Sequence, residues 1–202
     1  MTTYDAFHPS LSRSQSSIKR VFDVFFSAFG LLFTWWLILL AWLAACFDTK
    51  SNGFFIQKRV GRYGKVFRVV KVKTMIQSAG FDTTVTFRGD PRITPLGAFF
   101  RRTKIDELPQ LWNVLLGDMS FVGPRPALFN QNNLIALRKE KGIDKLLPGI
   151  TGWAQVNGRD SLFVTEKVDL DEVYMQRQSF WFDMKILWMT FLKVVKRDGV
   201  SH

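Results

Sequence analysis

The chain has 202 residues, long enough to bury a real core, and carries 28 Lys and Arg against 17 Asp and Glu, for a formal charge of +11. That excess asks for an anionic partner: nucleic acid, acidic lipid or a phosphorylated small molecule. One cysteine, Cys46, and two near-terminal histidines, His8 and His202, exclude an intrachain disulfide, a cysteine-based zinc cluster, a Ser-His-Asp mechanism and a multi-histidine metal site.

Residues 1–16 are polar and Ser-rich without periodicity, which predicts disorder. Asp23 and Asp48 then bracket an uncharged run, "VFFSAFGLLFTWWLILLAWLAACF", longer than the roughly 20 residues a spanning helix needs. The chain's aromatic content of 15% suits a lipid interface. Both flanks of the run are basic: Arg13, Lys19 and Arg20 before it; Lys50, Lys58, Arg59, Arg62, Lys65 and Arg68 after it. Cations favour the cytoplasmic side, so a straight span would have to translocate one basic flank. A helix that dips in and returns avoids this conflict, with Gly30 and Thr34 as its weak points. The "LAAC" of Leu43–Cys46 resembles a lipoprotein cleavage box, but the apolar core before it is too long for a signal peptide.

"FFIQKRVGRYGKVFRVVKVKTM" predicts two strands around a turn at Gly61–Gly64. Alternation puts Phe67, Val69, Lys71 and Lys73 on one face, and by pattern alone the lysines belong to an exposed face. "SAGFDTTVTFRGDPRITP" reads as loop and "LGAFFRR" as a short helix. In "IDELPQLWNVLLG", Leu108, Leu111, Trp112 and Leu115 keep helical spacing. Asp106 fits the N-cap, Pro109 the first turn and Gly117 the stop. A helix N-terminus there would favour ionised carboxylates at Asp106 and Glu107. Arg125 lies between Pro124 and Pro126, which stiffen the backbone around it. "LPGITGWAQVNGRD" is Gly-rich but matches neither common phosphate-binding fingerprint. "SFWFDMKILWMTFLKVVKR" is an amphipathic helix for the core or a membrane interface.

Taken together, "KVKTM", "DPRITPLGAFFRRTKIDELPQLWNVLLGDMSFVGPRP" and "PGITGWAQVNGR" resemble the bacterial sugar transferases, and among them the small monotopic polyprenyl-phosphate phosphoglycosyl transferases. The resemblance covers about residues 17–200. It implies an α+β, mainly helical fold: a re-entrant or spanning membrane helix over 17–48, then a catalytic domain over 49–202 with a small β-hairpin and amphipathic interfacial helices. It implies an enzyme of the cytoplasmic membrane, facing the cytoplasm, that moves a sugar-1-phosphate from a UDP-sugar to polyprenyl phosphate and releases UMP. In that family the Asp position, here Asp106, is the nucleophile, and the Glu position, Glu107, helps hold Mg²⁺ beside it. Arg125 contacts phosphate, Arg101 is the basic position five before the nucleophile, and Lys71 or Lys73 fills the basic strand position. The partners implied are a UDP-sugar, polyprenyl phosphate and membrane lipids, not nucleic acid; a homodimer stays open. "NGRD" leans toward N-acetylated deoxyamino sugars over plain hexoses. One departure stands out: relatives of this size break the membrane helix at Ser-Pro, where this chain has Thr34-Trp35. The rival reading, from charge alone, is a membrane-anchored nucleic-acid-binding or scaffolding protein.

Overall fold

The computed structural model describes residues 13–76, 90–158 and 162–196. Most of the segment expected to be disordered, residues 1–12, lies outside them, as do Arg159 and Asp160 of "NGRD".

Helix α1 runs unbroken over Arg13–Thr49, so it begins before the predicted start of the membrane helix. At 1.5 Å per residue it is about 55 Å long, well beyond the roughly 30 Å of a bilayer core. It is long and apolar enough to cross a membrane. The two expected weak points bond to each other: the Thr34 hydroxyl donates to the Gly30 carbonyl (2.7 Å), an arrangement that bends helices without breaking them.

Polarity on α1 is inverted relative to a soluble helix. Asp23, Ser27, Ala41, Ala45 and Thr49 are buried against the rest of the chain, while Phe25, Phe29, Leu32, Trp35, Leu40 and Phe47 face outward. Both halves of the helix pack on the same globular body. Lys19 bonds Asp183 (2.5 Å) and the Val122 carbonyl (3.0 Å), and Asp23 accepts from the Phe121 amide (3.1 Å). Arg20 donates to the carbonyls of Val114 and Leu115. At the other end Ala41 and Ala45 form a core with Val72 and Phe100, and the Gly53 amide donates to Cys46 Sγ (3.1 Å).

The expected hairpin follows. Strands β1 (Phe54–Val60) and β2 (Val66–Val72) pair antiparallel from Phe54↔Val72 to Val60↔Val66. Helix α2 (Pro95–Thr103) is the predicted short helix. Thr94 caps it by accepting from the Gly97 amide (2.8 Å), and Pro95 opens it.

The next element departs from expectation. Asp106 does not cap a helix; it lies inside a 3-10 turn, Ile105–Glu107, and α3 covers only Gln110–Leu116. Pro109 is the cause. It has no N–H to give to the Ile105 carbonyl, so the α-helical ladder cannot pass through it. Shorter bonds replace it: Leu108 N to Ile105 O (3.2 Å) and Trp112 N to Pro109 O (3.1 Å). Gly117 ends α3 at φ 91°, as expected.

Strand β3 (Ser120–Val122) leads through the Pro-Arg-Pro loop to β4 (Ala127–Leu128), which pairs with β1. Helix α4 (Asn132–Glu140) and strand β5 (Gly149–Thr151) follow, β5 lying parallel to β3. A Cβ on Gly149 would sit 2.1 Å from the Gly123 amide nitrogen, so glycine there serves close backbone approach. Helices α5 (Trp153–Asn157), α6 (Val164–Arg177) and α7 (Phe180–Lys196) complete the domain. On α7, Asp183 and Ile186 are buried while Trp181, Trp188, Phe191 and Val195 are exposed, so one helix both packs on the core and presents an apolar face.

Candidate active site

Three neighbouring segments build the site: the end of β2, the turn after α2 and the loop between β3 and β4. Lys104, at φ 62°, closes α2 and starts the turn that holds the acid pair. From β2, Lys71 Nζ meets Glu107 Oε1 at 2.9 Å. The pair is largely withdrawn from water, contrary to the exposed face that alternation alone suggests. Burial lowers the Lys71 pKa, Glu107 opposes that shift, and the positive charge of Arg125 adds to it.

Asp106 is buried at 7% exposure, and its Oδ1 has no hydrogen-bond partner. Burial first, and the neighbouring Glu107 second, raise its pKa to about 6, against the pull of Lys71, Lys104 and Arg101. That direction is opposite to the lowering expected of a helix N-cap. The group still ionises near neutrality, which suits a nucleophile that has no histidine to assist it.

The other expected residues divide. Arg101 acts on Asp106 through its charge and donates from Nε to Thr74 Oγ1 (2.9 Å), tying α2 to the "KVKTM" segment. Arg125 is partly buried, and its charge reaches both Lys71 and Arg59. Lys73 lies elsewhere: its Nζ bonds Ser51 Oγ (2.6 Å) just beyond the end of α1. Of the two lysines left open by sequence, Lys71 is the one beside the acids.

Two residues join the site that the sequence reading passed over. Arg59 donates to the Pro126 carbonyl (3.1 Å) and to Gln57 Oε1 (2.6 Å). Burial and the facing Arg125 lower its pKa to about 10, with Glu107 opposing. Gln110 is buried, with no partner for Nε2, one turn after Asp106. An "IQKR" strand gives no local sign that its arginine faces a loop 67 residues away. The result is a cluster in which Arg59, Lys71, Arg101 and Arg125 surround two carboxylates. The cations are in excess, so the site suits an anion.

Among the described residues no group of three or more metal-ligating side chains occurs. Asp106 and Glu107 still fit Mg²⁺, which is commonly held by one or two carboxylates plus the phosphates of a substrate. The unpartnered Asp106 Oδ1 is a hard oxygen donor suited to such an ion.

The chain is similar in sequence to several known proteins. The uncharacterized sugar transferase EpsL of Bacillus subtilis is 39% identical over 185 residues, which is 92% of this chain and 91% of that protein. The undecaprenyl-phosphate galactose phosphotransferase of Salmonella typhimurium is 35% identical over 93% of this chain and 42% of its own. The UDP-glucose:undecaprenyl-phosphate glucose-1-phosphate transferase of Escherichia coli is 38% identical over 91% of this chain and 41% of its own. The chain therefore spans nearly all of the first and about two fifths of the two longer relatives. The family model for bacterial sugar transferases matches residues 14–197. By its sequence over that whole length, the chain belongs to the bacterial sugar transferase family.

Proposed function

We propose that this protein transfers a sugar-1-phosphate from a UDP-sugar to polyprenyl phosphate, undecaprenyl phosphate in a bacterium, at the cytoplasmic face of the inner membrane. The observation that carries this reading is the buried Asp106, its Oδ1 without a hydrogen-bond partner, beside the Lys71–Glu107 pair in a site with excess cations. The longer relatives, named for glucose and galactose transfer to undecaprenyl phosphate, support it.

An Asp106 carboxylate oxygen attacks the sugar-proximal phosphorus. The P–O bond to the nucleoside monophosphate breaks, and UMP leaves with the electron pair. The lipid phosphate oxygen then attacks the phosphosugar-aspartate, and the Asp106 carboxylate is released. Arg125 and Arg59 face the diphosphate and offset the charge that builds on it. Lys71 orients Glu107 through their salt bridge. Mg²⁺ held by Asp106 and Glu107 would neutralise phosphate charge when bound.

The membrane arrangement we infer is re-entrant. Both halves of α1 pack on one domain, which supports both ends lying on one side of the bilayer. The exposed aromatic face of α7 would seat the domain at the headgroups, where an acceptor phosphate lies. The reaction would open the assembly of a surface glycan or glycoprotein glycan, and a homodimer is compatible with it. We propose an N-acetylated deoxyamino sugar as donor, from the "NGRD" likeness alone.

The test uses purified protein in nanodiscs with Mg²⁺, undecaprenyl phosphate and a panel of UDP-hexoses and UDP-N-acetylamino sugars. UMP release with one donor, absent in Asp106→Asn, is the expected result. Release that persists in Asp106→Asn would refute the covalent scheme.

A further inference from the structure

The loop that carries Arg125 can do little to hold itself. Pro124 and Pro126 have no N–H, and the loop's carbonyls are taken up by donors from distant parts of the chain. The Val122 carbonyl accepts from Lys19 Nζ (3.0 Å) and the Tyr174 hydroxyl (3.1 Å). The Pro124 carbonyl accepts from the Gly149 amide (2.9 Å). The Arg125 carbonyl accepts from Arg138 Nη1 (2.8 Å), and the Pro126 carbonyl from Arg59 Nη1 (3.1 Å). Pro124, Pro126 and Arg138 also line a cavity of about 210 Å³. The loop borders this pocket, and the hydrogen bonds hold its backbone there.

We propose that Arg138, braced by Asp171, is a positioning residue that sets the aim of Arg125. The inference rests on the transfer reading, in which Arg125 contacts substrate phosphate. Arg138 divides its planar fork between two tasks. Nε and Nη2 both reach Asp171 Oδ2 (3.0 and 2.6 Å), and Nη1 reaches the Arg125 carbonyl. Asp171 is 1% exposed, and its only ion pair among the described residues is with this arginine. A buried ion pair is a weak source of stability compared with an apolar pair of similar size. Its use here is directional: it holds one N–H of α4 on the backbone of the residue whose side chain must meet the phosphate. Lysine keeps the charge but lacks the planar fork that spreads Nε and Nη2 onto Asp171 and Nη1 onto the Arg125 carbonyl.

The test is a double-mutant cycle on UMP release, combined with hydrogen exchange of peptides covering residues 120–128. Arg138→Lys is expected to lower kcat/KM at least about tenfold in the wild-type background. In an Arg125→Ala background the same change should cost less than about twofold, because the group it positions is gone. Exchange over 120–128 should speed up in Arg138→Lys, with the rest of the domain unchanged. If Arg138→Lys does not fold, Asp171→Asn enters the same cycle with the same expectations. Equal cost in both backgrounds, or unchanged exchange over the loop, overturns the proposal. Wild-type protein that releases no UMP, with loop exchange still faster in the variant, would refute the transfer reading and leave the positioning role standing.

Discussion

Asp106, the proposed nucleophile, carries a cost to the fold. Its pKa is raised from 3.8 to about 6 on folding. A carboxyl raised in this way costs stability above the raised value and costs nothing below the unfolded value. The difference of about two pH units corresponds to about 3 kcal/mol at neutral pH. Asp106→Asn removes that cost and should melt at a higher temperature than wild type in chelator-treated buffer, while UMP release falls by about 10³-fold or more. A lower melting temperature would show that the carboxylate is compensated by a partner. The same pKa fixes the pH profile. Asp106 is ionised above about pH 6 in the free protein, so under the proposed scheme kcat/KM should hold steady above that value and fall tenfold per unit below it; a flat kcat/KM profile down to pH 5 would contradict the shift. The acid pair was singled out in "RRTKIDELPQ" through its family likeness. Its electrostatics were not, because the N-cap reading assumed a helix that Pro109 prevents. The choice between Lys71 and Lys73 was equally closed to sequence: two residues along the chain separate a salt bridge to Glu107 from a hydrogen bond to Ser51.

At the scale of elements, the hairpin, α2 and the stop at Gly117 followed from alternation, from Thr94-Pro95 and from glycine. What escaped the sequence were contacts between residues far apart, such as Arg59 on the Pro126 carbonyl and Lys19 on Asp183. Nothing in the local pattern of either partner signals them. The Lys19 contact fastens α1 to α7 and to β3. Burial raises the Asp183 pKa, and Lys19 holds it down. Lys19→Met should destabilise the domain by about 3–5 kcal/mol, because a buried carboxyl is left without its cation. Adding Asp183→Leu should recover much of that loss in thermal melts; no recovery would mean that Lys19 acts elsewhere. Between β3 and β5 the backbones approach so closely that Gly149→Ala must push Gly123, the start of the Pro-Arg-Pro loop. The expected result is a loss of about 1–3 kcal/mol together with a drop in activity.

For the whole molecule, the sequence disclosed a long apolar helix and a basic domain, but not how one meets the other. The buried stripe Asp23, Ser27, Ala41, Ala45 and Thr49 shows α1 lying on the domain with both halves. Its outward residues are those that suit lipid. Ser17→Cys and Ser51→Cys, each in a Cys46→Ser background, should react with an impermeant maleimide from the same side of sealed inverted vesicles. Labelling from opposite sides would establish a straight span. The central claim at this scale is that the domain performs a two-step transfer through Asp106. The most direct measurement leaves the acceptor out: protein in nanodiscs is mixed with Mg²⁺ and the UDP-sugar that supports turnover, and both UMP and intact mass are followed. The expected result is a burst of no more than one UMP per active site, with a mass gain equal to one phosphosugar on the peptide holding Asp106. UMP that appears only when polyprenyl phosphate is added, with no change in mass, would contradict it.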